Sequence, residues 1–288
     1  MKHALTIQVG PVGFRVGSDW RGPLDALRGL YRDYPQPDLC DFSVRLEPEQ
    51  PWRRWLKPSV AIRGDYILPD AAPLALQHGL LAAEMGMNLQ MALGQRHYLL
   101  LHASAVERDG KAVLMTGASG SGKSTLAAML GEHGWRFMGD EFALLDLDTG
   151  DLHPFPRAIS LKNHAVYAME ELASAERFGP WLRGTPKGTI RHLRPQDEAI
   201  ARMAEPARPA LILFPRYDKA VPRAIRPVGA AEVFVRLTQA STNYVALGER
   251  SFAALTSFVA NLPARAIDYP DGSSAVEMVE ALWAELAR

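Results

Sequence analysis

A chain of 288 residues can fill one large or two modest hydrophobic cores. Its 32 basic and 32 acidic side chains cancel, which argues against a surface field built for nucleic acid or an anionic membrane. A single cysteine, Cys40, excludes an intrachain disulfide and a cysteine-rich metal site, as suits a reducing cytosol.

The N-terminal stretch lacks the pattern of a signal peptide, because Lys2 leads into an interrupted apolar run that meets Gly10-Pro11. The longest charge-free run, Ser251 to Ala264, has 14 residues and is too short to span a bilayer. These features predict a soluble, cytoplasmic protein with no membrane or nucleic-acid partner. Leu5, Ile7, Val9 and Val12, Phe14, Val16 alternate on either side of Gly10-Pro11, the pattern of a hairpin. Leu24, Leu27, Leu30 and Tyr31 follow at helical spacing. Phe42 to Leu46 and Val60 to Ile62 read as strands between proline-rich turns. A helix is expected from about Pro73 to Leu93, with Asp70 placed to cap it. Trp20, Trp52 and Trp55, with Arg53 and Arg54, could form a recognition surface or cation–π packing on the fold. Residues 1–95 are therefore read as an N-terminal α/β lobe of unassigned role, and 96–288 as a second domain.

That second domain begins with two strands, Tyr98 to Ala105 and Lys111 to Thr116, joined at Arg108-Asp109-Gly110. The second strand leads into GASGSGKST, Gly117 to Thr125, which matches G-x-x-x-x-G-K-[ST] at Gly117, Gly122, Lys123 and Ser124. Leu126, Ala127, Met129 and Leu130 continue at helical spacing until Gly134. Strand, glycine loop and helix form the context in which this motif cradles a nucleotide triphosphate, although a glycine-rich turn shares the composition. The loop Gly117, Ala118, Ser119, Gly120, Ser121, Gly122, Lys123, Ser124, Thr125 would turn its N–H groups toward the phosphates of ATP. Lys123 would neutralise the β and γ oxygens, and the Ser124 hydroxyl would ligate Mg²⁺. Asp140 lies 17 residues after Lys123, closing the short apolar segment Arg136 to Gly139. It could hold Mg²⁺ opposite Ser124, and of the two adjacent carboxylates, Asp140 and Glu141, one could take the metal while the other accepts a proton from a substrate hydroxyl. A surface acidic pair opening a turn is the alternative.

The stretch from His102 through Glu141 resembles the HPr kinase/phosphorylase family, more closely its proteobacterial branch of HPr-kinase-related kinases. That family has a histidine 21 residues before the loop lysine, here His102, and an acidic pair 17 and 18 residues after it, here Asp140 and Glu141. The resemblance implies a P-loop kinase core of the HPr kinase/PEP carboxykinase-like type. It assigns the proton acceptor to Glu141, the metal side to Asp140, and a place near the transferred phosphoryl group to His102. This sequence departs from the family in three places: Asp-Glu replaces an aspartate pair, Thr125 stands where glutamate is usual, and no E-x-R-G segment occurs. Pro156 to Asn163 occupies that region instead.

Phosphoryl transfer needs cations beyond the loop lysine, and Arg157, Lys162 and Lys187 are candidates. Further on, Pro209 to Phe214 reads as a buried strand ended by Pro215, and helices are expected near 230–237, 250–261 and 274–287. Asn243-Tyr244 could reach the substrate or brace a turn. The expected activity is an ATP- and Mg²⁺-dependent kinase, with Lys123, Asp140, Glu141 and His102 as catalytic residues. Its acceptor is a hydroxyl on a protein, a peptide or a small molecule, and assembly as a homo-oligomer stays open. A nucleotide-dependent regulatory module with little transferase activity is the competing expectation.

Overall fold

The computed structural model describes residues 2–67 and 71–286, so the capping role expected of Asp70 and the last-helix end at Ala287 lie outside the described residues. The chain forms two units. One holds Met1–Gln95, Ser160–Glu170 and Ser174–Arg194; the other holds Arg96–Ile159, Glu171–Ala173 and Pro195–Arg288. The chain thus changes unit at residue 95, and the segment 160–194 largely rejoins the first unit. Arg194, which ends this segment, shows what ties it there: its Nη2 donates to the Arg32 carbonyl and to Asp33, each at 3.1 Å.

In the first unit, β1 (His3–Val9) and β2 (Val12–Ser18) form the expected antiparallel hairpin, with Gly10 in the left-handed region at φ 51°. α1 (Arg21–Leu30) turns Leu24, Leu27 and Leu30 inward at one-turn spacing, and none is more than 3% exposed. It carries the chain to β3 (Phe42–Pro48), which pairs parallel to β2. β4 (Ser59–Gly64) and the short β5 (Leu74–Ala75) complete a five-stranded sheet in sequence order. α2 (Gly79–Gly94) starts later than its apolar pattern predicts. Leu74–Ala75 pairs with β4 instead, and Leu76–His78 makes a 3₁₀ turn before the helix.

The second unit opens with β6 (Tyr98–Leu101), β7 (Ala103–Arg108) and β8 (Lys111–Thr116). The single strand expected over 98–105 is therefore two, broken at His102. β6 joins a three-stranded sheet and β7 joins the main one, so one apolar run serves two layers. β7 and β8 are joined through Asp109 and Gly110, both at positive φ (55° and 74°), as a two-residue hairpin turn requires. Then come α3 (Lys123–Glu132), β9 (Arg136–Gly139), β10 (Ala143–Asp146) and β11 (Leu152–His153). β10 pairs with both β6 and β11 in the small sheet.

The return to the first unit is made of β12 (Ile159–Lys162), α4 (His164–Glu170), β13 (Leu182–Thr185) and β14 (Gly188–Leu193). Its strands form a sheet of order β12-β14-β13. The second unit resumes with α5 (Asp197–Ala201), β15 (Arg208–Tyr217), β16 (Ala224–Pro227) and α6 (Ala230–Ala240). It ends with α7 (Tyr244–Leu247), α8 (Glu249–Ala260), β17 (Ala264–Tyr269) and α9 (Gly272–Leu286).

The main sheet has the order β16-β17-β15-β8-β7-β9, with β17, β15 and β8 mutually parallel. α6 and α8 bring Val233, Leu237, Leu255 and Phe258 onto Leu114, Ile212 and Phe214 of that sheet. Contrary to expectation, Pro215 does not end its strand: it pairs with Ile267 of β17, and β15 runs on to Tyr217. The ladder with β8 stops at Leu213, so beyond that point β15 has an open side, where a strand tolerates proline. A buried ion pair between Arg136 of β9 and Glu107 of β7 ties the far edge, and the Arg136 Nη1 also donates to the carbonyls of Arg202 (2.7 Å) and Glu205 (2.9 Å). The architecture is α/β with several sheets. Among the described residues no helix is long and apolar enough to cross a membrane.

Candidate functional site

Because β8, β15 and β17 run parallel, their carboxyl ends share one edge of the sheet, the edge at which open α/β sheets bind ligands. The loop 117–122 leaves β8 at that edge and delivers the chain to the N-terminus of α3. Gly120 and Gly122 take φ of 83° and 96°, a left-handed backbone that disfavours any side chain. Gly122 is doubly constrained, since a Cβ there would lie 2.3 Å from the Tyr269 hydroxyl. Two residues that the sequence reading did not single out hold the loop from beneath. The Tyr269 hydroxyl, at the end of β17, and the Tyr217 backbone N–H, at the end of β15, both donate to the Ser121 carbonyl, at 3.3 and 3.1 Å. Burial, and secondarily Tyr217, pushes the Tyr269 phenol well above its usual range, so it remains a donor.

Lys123 is buried and folds back over the loop, its Nζ donating to the carbonyls of Gly117 (2.8 Å) and Ala118 (3.1 Å). Ala118, Ser119 and Gly120 form the exposed tip, and Thr125 sits in the first turn of α3. Among the described residues the Ser121 Oγ is buried without a hydrogen-bond partner. A buried hydroxyl left so is uncommon and calls for an explanation, such as a group the structure does not contain.

Asp140 follows β9 and is only 6% exposed. The Ser104 hydroxyl on β7 donates to its Oδ1 at 2.5 Å. The Ser124 hydroxyl and the Glu141 backbone N–H also lie close enough to favour its charged form. Burial, and next the adjacent Glu141 carboxylate, raises the Asp140 pKa; these three groups offset this only in part. The loop serine and the first acid therefore meet side chain to side chain.

Glu141 differs from its neighbour in every respect. Its φ is 72°, a left-handed conformation that costs a non-glycine residue on the order of 1–3 kcal/mol and concentrates at functional sites. Its side chain is one-third exposed, and Oε2 lies 3.7 Å from His102 Nδ1. His102 occupies the break between β6 and β7. Its N–H donates to the Ala240 carbonyl at 2.7 Å and its own carbonyl accepts from Thr116 Oγ1 at 3.1 Å, which fixes the backbone while the ring remains open to solvent.

Of the other cations, Arg157 belongs to this unit. It is buried, 5.9 Å from the Phe155 ring, and the Phe155 backbone bridges to Gly139, one residue before Asp140. Lys162, on β12, and Lys187, in the turn between β13 and β14, belong to the first unit. Asn243 braces β6, accepting from the Leu100 N–H and donating to the Tyr98 carbonyl, each at 2.9 Å. Among the described residues no three histidine, cysteine or acidic side chains gather as a metal cage. Ser124 and Asp140 instead offer two oxygen donors side by side.

A family model described as SynChlorMet cassette protein ScmC matches residues 80–174, less than half of the chain but all of the loop, His102 and both acids. No curated protein matches. Among solved structures, the HPr(Ser) kinase/phosphatase from Coxiella burnetii is similar at 14% identity, over 65% of this chain and 88% of that chain, with a TM-score of 0.30. The family that matches thus carries a different name from the one the sequence resembles, and the structural likeness is slight.

Proposed function

We propose that this protein is an ATP-dependent kinase that transfers the γ-phosphoryl group to a hydroxyl. The observation that carries the reading is the meeting of the loop serine Ser124 with the buried Asp140, beside a more exposed Glu141. A pure nucleotide binder has no need of the second acid. The orphaned Ser121 Oγ and the left-handed glycines fit a loop built to wrap phosphates. The two adjacent oxygen donors fit Mg²⁺, which takes few protein ligands and fills its shell with phosphate oxygens and water.

Ser124 and Asp140 would hold the ion, and when bound it neutralises charge on the phosphate oxygens. Lys123 would exchange its two loop carbonyls for the β and γ oxygens, and Arg157 is the second cation in this unit. Glu141 would orient the acceptor hydroxyl and take its proton as the oxygen bonds to the γ-phosphorus and the bond to the bridging oxygen breaks. His102, beside Glu141, would hold that carboxylate toward the acceptor. A kinase/phosphatase of the HPr type, the activity in the name of the similar solved structure, belongs to this reaction class.

The test is transfer of label from γ-radiolabelled ATP with Mg²⁺ in lysate of the source organism supplemented with the purified chain. The reading expects an acceptor labelled by the wild type and not by Lys123→Ala. Mg·ATP binding with no labelled acceptor would favour a regulatory module, and absence of nucleotide binding would remove the site.

A further inference from the structure

A cleft of about 750 Å³ lies within the first unit, and the phosphate-loop reading makes no use of it. Three tryptophans line it: Trp20 at the start of α1, Trp55 after the 3₁₀ turn at Pro51–Arg54, and Trp181 before β13. Pro23, Leu76, Leu80 and Leu182 complete its apolar walls. Trp55 is 77% exposed, and near it in the chain Trp52 and Leu56 are exposed at 58% and 67%. That is more exposed aromatic surface than the fold itself requires.

The charges around it divide into paired and unpaired. Arg54 is bound to Asp19 and Arg21 to Asp25. Arg183, whose guanidinium lies 5.7 Å from the Trp181 ring, has no carboxylate partner among the described residues, and neither have Arg53 and Lys57, which flank the lining residues Arg54 and Trp55. Lys57 also holds a left-handed φ of 47°. The indole N–H groups of Trp55 and Trp181 likewise have no protein acceptor among the described residues. Trp20 is different: its Nε1 donates to the Arg54 carbonyl at 3.2 Å, which fixes one wall.

We infer that this cleft is a docking site for a polypeptide segment with a bulky apolar anchor flanked by acidic residues. The anchor would enter between the tryptophans, and carboxylates on either side would meet Arg53, Lys57 and Arg183. Exposed tryptophans beside arginines are the composition of binding hot spots, and the net positive rim selects an acidic partner over a basic one. Neither argument depends on the kinase reading, since every residue used lies in the first unit.

Fluorescence anisotropy on the full chain tests this with three labelled peptides: Asp-Glu-Leu-Trp-Asp-Glu, its lysine-flanked counterpart, and its alanine-anchored counterpart. The acidic peptide with the apolar anchor should bind saturably and more tightly at low salt, and the other two should not. Trp55→Ala and Trp181→Ala should each weaken binding about tenfold, the effect of truncating a hot-spot side chain. Arg183→Glu, which reverses a charge beside the Trp181 wall, should weaken it as well. Lys123→Ala should leave it unchanged, which separates this inference from the fate of the kinase assignment. Equal binding of the lysine-flanked peptide, wild-type affinity in both tryptophan variants, or failure of the acidic peptide to bind would overturn it.

Discussion

The loop edge of the second unit and the cleft of the first unit use the same residue types in opposite ways. At the loop, Lys123 and Asp140 are buried, and each is held by named partners at hydrogen-bond distance. Around the cleft, Arg53, Lys57 and Arg183 have no carboxylate partner among the described residues, and Trp55 stands in solvent. Buried polar groups with fixed partners are preorganised for chemistry, because their geometry is already set before a substrate arrives. Exposed apolar surface with unmatched charge is suited to capture, because its satisfaction comes from outside. The contrast predicts that substitutions at the loop change rates and metal dependence, whereas substitutions at the cleft change affinity for a partner.

The largest effect should come from Lys123→Ala, which removes the cation poised over the loop. Phosphoryl transfer should fall by about 10²–10³, the cost of deleting one preorganised charge-stabilising group. Circular dichroism should be unaltered, because the carbonyls of Gly117 and Ala118 that Lys123 engages belong to the partly exposed loop and can be solvated. Unchanged transfer in a folded variant would contradict the loop assignment.

Preorganisation at this edge also depends on the β7–β9 pairing that presents Asp140, and the buried Glu107–Arg136 pair holds it. Glu107→Gln leaves Arg136 without its counter-charge and should cost about 3–5 kcal/mol of stability, measured by urea unfolding. Burial alone would raise the Glu107 pKa, but the Arg136 hydrogen bond, the Gly110 N–H and nearby arginines outweigh it and hold the pKa below the usual carboxylate range. This group's stabilisation is therefore complete above the unfolded-state pKa and is lost as pH falls through the lower, folded-state value. Wild type should lose stability across that acid window more steeply than Glu107→Gln; parallel pH profiles would contradict the pairing.

A smaller effect separates positioning from direct contact. Ser104→Ala removes the 2.5 Å hydrogen bond that orients Asp140 and touches nothing else at the site. Mg²⁺-dependent ATP affinity should drop about tenfold, the worth of one hydrogen bond to a charged group, while metal-free nucleotide affinity stays constant. Equal losses with and without Mg²⁺ would show that Ser104 merely supports the fold.

The candidate site was legible in sequence to the extent that its groups are local. The loop, the acidic pair and His102 are separated by short, gap-free spacings, and strand–loop–helix punctuation places them. Ser104 was missed although it stands only two residues from His102. Tyr217 and Tyr269 were missed because they reach the loop only through the parallel order β8-β15-β17, and nothing in sequence order brings the ends of β15 and β17 to the loop. The break at His102 was invisible for a related reason. Leu99 to Leu101 and Ala103 to Val106 are equally buried, and the switch between sheets comes from what each half pairs with. In the first unit the tryptophans and arginines at 20 and 52–55 could be seen, but Trp181 and Arg183 joined them only on folding, through a sheet formed more than a hundred residues downstream.

On the proposed reading two adjacent acids do different work: Asp140 is buried beside Ser124, and Glu141 takes a left-handed conformation facing His102. The direct measurement is calorimetric Mg·ATP titration together with transfer rates for Asp140→Asn and Glu141→Gln. Glu141→Gln should bind Mg·ATP like wild type and lose transfer about a hundredfold or more, the scale of general-base catalysis. Asp140→Asn should weaken Mg²⁺-dependent binding. If instead Asp140→Asn abolishes transfer with metal affinity intact while Glu141→Gln stays active, the division of labour proposed here is contradicted.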